Sequence, residues 1–336
     1  DSVPNLGRRL MSIFSNSPSA VAPSLWERIV QRKEESPDLE TRRSIFLGTD
    51  ADTGVPVCVP RGTLDSSHFH VLGMTRAGKT AATLMPIVFQ ILRGYRDESG
   101  KPAPKSPVII FDLKGDQAFF NATRAAALKA GQRFRFLSTR QGDDYHFFDP
   151  FQMFQLGRML PVQLAAEFVR AFSLDYGLIY GGLYYTQQNL VVLVQAIEDM
   201  LARPQTPPTI EHLSRILQRL AKSAHNADAR HVESCLQLLA RYPQVNIAKN
   251  QASTNQRINL LRALDECEVI YFFMEMEDQA PSLRQVASLA LYTLVQAAKY
   301  RYRQGLPQRH TYVVIDEFYH IAGKSFGELL STVADW

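Results

Sequence analysis

The chain has 336 residues, enough for two domains at roughly 150 residues each. Its 46% hydrophobic and 21% charged content excludes a disordered or fibrous chain, and a net charge of +4 spread along the chain allows an acidic partner without arguing for one. No apolar stretch reaches the roughly 18 residues of a membrane span, and three distant cysteines (Cys58, Cys235, Cys267) form neither a disulfide framework nor a metal-spaced cluster, as in a reducing cytosol.

In chain order, residues 1–43 read as a polar, helix-leaning segment interrupted by Pro37. β-Branched residues, Gly54 and the Pro56/Pro60 pair predict short strands or a hairpin over 44–60. Residues 69–72 predict a short buried strand, followed by a glycine loop and an apolar helix over 80–92, kinked at Pro86. Proline, glycine and charge make 93–107 a surface loop. The apolar run 108–111 predicts a fully buried strand, 117–130 an alanine-rich helix stopped by Gly131, and 133–137 a third strand. Arg133, Arg135 and Arg140 read as one solvated strand face. This alternation predicts a parallel α/β sheet covered on both faces.

The pattern changes between about 160 and 265, where no strand is predicted and helices are expected over 161–172, 184–202, 209–222 and 229–241, with a fifth near 256–265. Leu190, Leu193, Val194 and Ile197 share one helical face, and Thr209 is placed to cap the helix after the break at 206–208. Strand character returns over 268–274, then a long helix over 282–303 and a strand over 311–315. Tyr184, Tyr185, Phe272 and Phe273 read as core aromatics. The expected organisation is an N-terminal segment 1–43, a nucleotide-binding domain split into 44–155 and 267–336, and an all-α insertion over 156–266. Residue 1 is Asp, and 335–336 fall inside a helical pattern, so the sequence reads as part of a longer protein.

The segment Gly73-Met74-Thr75-Arg76-Ala77-Gly78-Lys79-Thr80 fits G-x-x-x-x-G-K-[ST], the Walker A phosphate-loop pattern. Glycines allow backbone dihedrals that aim successive N–H groups at phosphate oxygens, and a helix starting near Lys79 adds its N-terminal dipole. Lys79 would place a cation on the β- and γ-phosphates, and the Thr80 hydroxyl would ligate Mg²⁺.

Two aspartates, Asp112 and Asp316, each end a predicted buried strand, the edge at which open α/β sheets bind ligands. Asp316 is followed by Glu317, whereas Asp112 is followed by Leu113-Lys114-Gly115-Asp116. Hydrolysis needs a carboxylate in the metal shell and a second group to activate water. Asp316 is therefore assigned to Mg²⁺ through water and Glu317 to the catalytic base. Asp112 and Lys114 become accessory residues, near the nucleotide or at a subunit contact.

These stretches, in this order, resemble the TraD/TraG family of type IV coupling proteins, within the FtsK/HerA group of motor ATPases. The likeness extends from 44–48 and 70–73 through Phe111-Asp112-Leu113-Lys114-Gly115-Asp116, similar to the family's D-P-K-G-[DE], and Phe148-Asp149-Pro150-Phe151, similar to its N-P-F/L. It ends on Ile315-Asp316-Glu317-Phe318 with Gly323, and spans roughly 44–336. Leu113 replaces the usual proline and Asp149 the usual asparagine.

The resemblance implies a RecA-like fold and a hexameric motor that hydrolyses ATP with Mg²⁺ while moving DNA without regard to its sequence. Such a motor couples a relaxase or secreted protein to a type IV secretion channel at the cytoplasmic face of the bacterial inner membrane. The all-α insertion would recruit substrates and channel components, and a membrane anchor would lie outside this sequence. The resemblance also places a glutamine motif and an arginine finger after the second aspartate strand. Two alternatives stand beside it: a related motor in DNA processing, partition or phage defence, and a nucleotide-regulated docking platform with little motor activity. DNA-contacting residues cannot be picked from the sequence. Lys299-Tyr300-Arg301-Tyr302-Arg303, with Arg309 and His310, reads better as a cationic helix end than as a nucleic-acid surface. His68 and His70 lack a third metal ligand.

Overall fold

Short β-branched and aromatic runs separated by helical periods produce alternating elements in the computed structural model, which describes residues 25–74, 77–140, 145–155, 157–176, 181–202, 208–223, 227–246, 254–322 and 326–327. The chain begins with α1 (Leu25–Glu34) and α2 (Leu39–Arg43), the second capped by Asp38, which accepts from Thr41 N at 2.7 Å. An antiparallel hairpin follows, β1 (Ile45–Thr49) with β2 (Pro56–Val59), and then α3 (Arg61–Ser66). Gly54 takes φ 70° in the hairpin turn, a conformation open to glycine because it lacks Cβ.

Next come a π-helical turn (Lys79–Leu84) leading into α4 (Met85–Arg93), β3 (Val108–Asp112), α5 (Gln117–Lys129), β4 (Phe134–Ser138), β5 (Phe147–Phe148) and α6 (Gln152–Gln155). A helical layer follows: α7 (Pro161–Ala171), α8 (Gly182–Leu201), α9 (Ile210–Ser223) and α10 (Ala227–Leu239). The described chain then adds β6 (Arg257–Ile258), α11 (Leu260–Glu266), β7 (Val269–Phe273), α12 (Met276–Arg303) and β8 (Tyr312–Asp316). None of its described helices is long and apolar enough to cross a membrane.

The molecule is mixed α/β. Its main sheet has four strands in the order β4-β7-β3-β8, and every pairing is parallel. Strand alternation sends Val108, Ile110, Val269, Tyr271 and Phe273 to one face, where they pack with α4 and α5. Ile109, Phe111, Ile270 and Phe272 go to the other face. There they join one continuous apolar cluster with Phe168 of α7, Leu193 of α8, Leu213 of α9 and Leu236 of α10. The helical layer therefore closes one side of the sheet; it has no separate core. At about 1.5–3 kcal/mol for each large side chain removed from water, this shared cluster dominates the cohesion between the two regions.

Several expectations meet a correction. Residues 69–72 are not a strand: Phe69 is 50% and Leu72 79% exposed, and no neighbouring strand takes up their backbone groups in the described sheet. Pro86 sits in the first turn of α4 instead of kinking a helix, because the preceding turn is π-helical and a residue without an N–H is tolerated at a helix start. A strand does occur in the region read as all-helical, since β6 pairs in parallel with β5. Tyr184 and Tyr185 are 60% and 55% exposed, so they are not core, whereas Phe272 and Phe273 are buried.

The arginine face is also not solvated throughout. Arg135 is 2% exposed and its Nε donates to Glu268 at 3.0 Å. Glu268, with no exposure, also receives Arg133 at 3.3 Å and lies 3.5 Å from Arg262. Strand alternation was a poor guide because a buried acid on the neighbouring chain segment draws the guanidinium inward. Other local readings match the structure: Thr209 Oγ1 caps the next helix by accepting from His212 N at 3.1 Å, and Gly131 follows α5 with φ 66°.

Candidate functional site

The glycine loop ends where the π-helical turn begins. Gly78 adopts φ 80°, ψ 18°, the left-handed region in which a Cβ is strained. At Gly73 a Cβ would come within 3.2 Å of Lys79 Cγ, so a larger residue there would press on the lysine stem. That opening lets Lys79 fold back over its own loop, where Nζ donates to Gly73 O at 3.0 Å and Met74 O at 3.1 Å. The ammonium is thus held above the loop by weak, exchangeable acceptors. Thr75 and Arg76, part of the same reading, lie outside the described residues, as does Gly323.

Thr80 brings in the distant strand. Its Oγ1 donates to Asp316 Oδ2 at 2.7 Å, joining residues 236 positions apart. Asp316 is 3% exposed, and its other oxygen accepts from Glu317 N at 3.0 Å. Glu317 itself has φ 55°, unusual for a residue with a side chain, and its carboxylate has no hydrogen-bond or ion-pair partner among the described residues. His70 lies edge-on to Phe318 with ring centroids 6.1 Å apart, which keeps the approach to the loop beside the turn after β8. Four of the predicted residues (Gly78, Lys79, Thr80 and Asp316) thus converge, and Glu317 follows directly on the last. A hydroxyl beside a buried carboxylate is a donor set suited to a small hard cation such as Mg²⁺.

Asp112 lies in register with Asp316 on the adjacent strand, but its oxygens are occupied. Oδ1 accepts from Lys114 N at 3.2 Å and Gly115 N at 2.8 Å; Oδ2 accepts from Asp116 N and from Tyr271 OH, both at 2.8 Å. Burial, reinforced by the Asp316 charge, pushes the Asp112 carboxyl up to about 6 despite those donors. Asp112 therefore anchors the 113–116 turn and has no lone pair directed to a cation. Asp116 caps α5 by accepting from Ala118 N and Phe119 N.

Sequence reasoning missed Tyr271, which reads as an ordinary strand aromatic. Burial first, then the neighbouring Asp112, pushes its hydroxyl well above the usual tyrosine range, so it stays a donor. It also missed the pairing of Arg140 with Glu275. Arg140 additionally reaches Gln117, and its guanidinium lies 4.5 Å from the Phe273 ring centroid. These residues close the sheet edge after β3, β4 and β7, and no spacing rule links them in sequence. Arg301, part of the cationic run, is 7% exposed and pairs with Asp265 and Pro307 O, in keeping with a helix end.

No protein-family model matches the chain, and no curated protein matches it.

Proposed function

We propose that the chain is the nucleotide-hydrolysing part of a RecA-like motor ATPase that moves DNA, and that it couples a DNA–relaxase or protein substrate to a type IV secretion channel. The observation that carries this reading is the Thr80–Asp316 contact at 2.7 Å, which brings an acidic strand end to the threonine of a glycine loop with the phosphate-binding pattern. Lys79 exchanges the carbonyls of Gly73 and Met74 for the phosphates of ATP, whose full negative charge makes the stronger contact. Thr80 and Asp316 would hold Mg²⁺ between them. Mg²⁺, when bound, supplies the positive charge that offsets the charge developing on the transferred phosphoryl group. Glu317, whose carboxylate has no partner among the described residues, accepts the proton of the attacking water. The DNA and channel partners, the hexamer and the inner-membrane setting rest on the family resemblance alone.

The test is ATP turnover with and without DNA. Wild-type turnover should rise on adding duplex DNA, and Lys79→Ala should cut Mg-ATP affinity about tenfold or more while ending turnover. Tight binding by Lys79→Ala overturns the site; turnover indifferent to DNA overturns the motor and favours a docking platform.

A further inference from the structure

The turn after β3 presents a charged side chain that the proposed chemistry does not yet use. Of the charged groups on the neighbouring strand ends, Asp112 is taken up by three backbone N–H groups and Tyr271, Asp116 by the start of α5, Glu275 by Arg140, and Asp316 by Thr80 and Glu317 N. Lys114 is exposed, and its ammonium has no hydrogen bond or ion pair among the described residues. Among the described residues its charge is therefore unpaired, as is that of Glu317 after β8. Lys114 sits two residues beyond a carboxylate in register with the proposed metal aspartate.

The turn that carries it is held unusually firmly for an exposed loop. Gly115 takes φ 73°, and a Cβ there would lie 2.5 Å from Glu275 Cγ, so only glycine lets the turn close against the end of β7. Arg140 clamps the same Glu275 and lies 3.4 Å from Gly115 O. Adjacent strands lie about 4.8 Å apart. Lys114, on a flexible four-carbon stem two residues past the end of β3, therefore leaves the sheet at the same edge as Asp316, the carboxylate that meets Thr80.

We propose that Lys114 contacts the terminal phosphate of the bound nucleotide, as a second cation beside Lys79, and that Asp112 is a positioning residue that fixes the turn presenting it. This rests on the nucleotide-binding reading above. The held turn fixes the root of the Lys114 side chain, so meeting an anion orders only the stem and not the loop as well. Lys114 lies in the turn after β3, the strand next to β8 and its Asp316, and a second cation there favours the more highly charged nucleotide, so it distinguishes a triphosphate from a diphosphate.

The experiment is calorimetric titration of the chain with Mg-ATPγS and with Mg-ADP, for wild type, Lys114→Ala, Lys114→Arg, Asp112→Asn and Lys79→Ala. Lys114→Ala should lose about tenfold in ATPγS affinity and less than about twofold for ADP, the loss of one charge-assisted contact. Lys114→Arg should restore most of the discrimination, and Asp112→Asn should lose it although the lysine remains. Equal effects of Lys114→Ala on both nucleotides, or none, with Lys79→Ala still impaired, overturn the proposal and leave the phosphate-loop reading intact. Undiminished binding by Lys79→Ala overturns that reading itself. Thermal melting of each variant separates lost contact from lost fold, and Lys114→Ala, at an exposed position, should melt with wild type.

Discussion

The sheet edge and the helical layer both bury acids, and they treat them differently. Asp112, at a strand end, is inaccessible yet accepts four hydrogen bonds. Glu268, just before β7, is equally buried and faces three arginines. Glu167, on α7, is 2% exposed, and one of its oxygens has no hydrogen-bond partner. Burial raises both Asp112 and Glu167, but the first only to about 6 and the second to about 8, with Gln296, Arg170 and Lys299 opposing the rise for Glu167. Where a strand passes into a turn, backbone N–H groups are free to meet a carboxylate. Along a helix they already bond within it, and an acid on the packed face depends on neighbouring side chains. The edge of a parallel sheet can therefore keep charges buried and ordered, which is what ion and phosphate chemistry requires.

Breaking the sheet-side network should have the heaviest consequence. Glu268→Ala leaves Arg135 buried without its carboxylate and should cost about 3–5 kcal/mol in urea unfolding. A loss below about 1 kcal/mol would mean water or a rearranged acid compensates Arg135, and the contrast between the regions would collapse.

On the helical side the direction reverses with pH. Glu167 has a folded-state value of about 8, above the 4.5 of a free glutamate, so the neutral acid's contribution is complete below pH 4.5 and is lost as pH rises through 8. Glu167→Gln should abolish that decline. It should match wild type near pH 4 and exceed it above pH 8 by on the order of 2–4 kcal/mol, read from unfolding curves across pH. Parallel pH curves for the two proteins would show that Glu167 is solvated.

The helical surface supplies the mildest case. Tyr184 is 60% exposed, and Tyr184→Ala should change stability by less than about 0.5 kcal/mol in the same urea assay. A larger loss would place the ring in contact with part of the chain outside the described residues.

The site's chemical inventory was legible because backbone demands are local. Gly78 takes a left-handed conformation that favours glycine, Gly73 leaves room beside the Lys79 stem, and Thr80, Asp316 and Glu317 follow from strand ends and spacing. The adjacent glutamate set Asp316 apart from Asp112 in the sequence, but the contacts that give Asp112 its own role were not legible. Asp112 and Asp316 each close an apolar run. Only the turn after β3 and the reach of Tyr271 across from β7 make Asp112 an anchor and leave Asp316 for the threonine.

Alternating apolar runs and helical periods were enough to specify a parallel sheet, its covering helices and a helical stretch between its strands, since burial of a strand or helix face is written in residue spacing. Strand order, the fusion of the helical layer with one sheet face, the inward turn of Arg135 and the unpaired state of 69–72 came only from tertiary packing. Those outcomes depend on which distant residues meet, and a side chain's solvation is decided by its neighbours in space, which linear spacing does not encode.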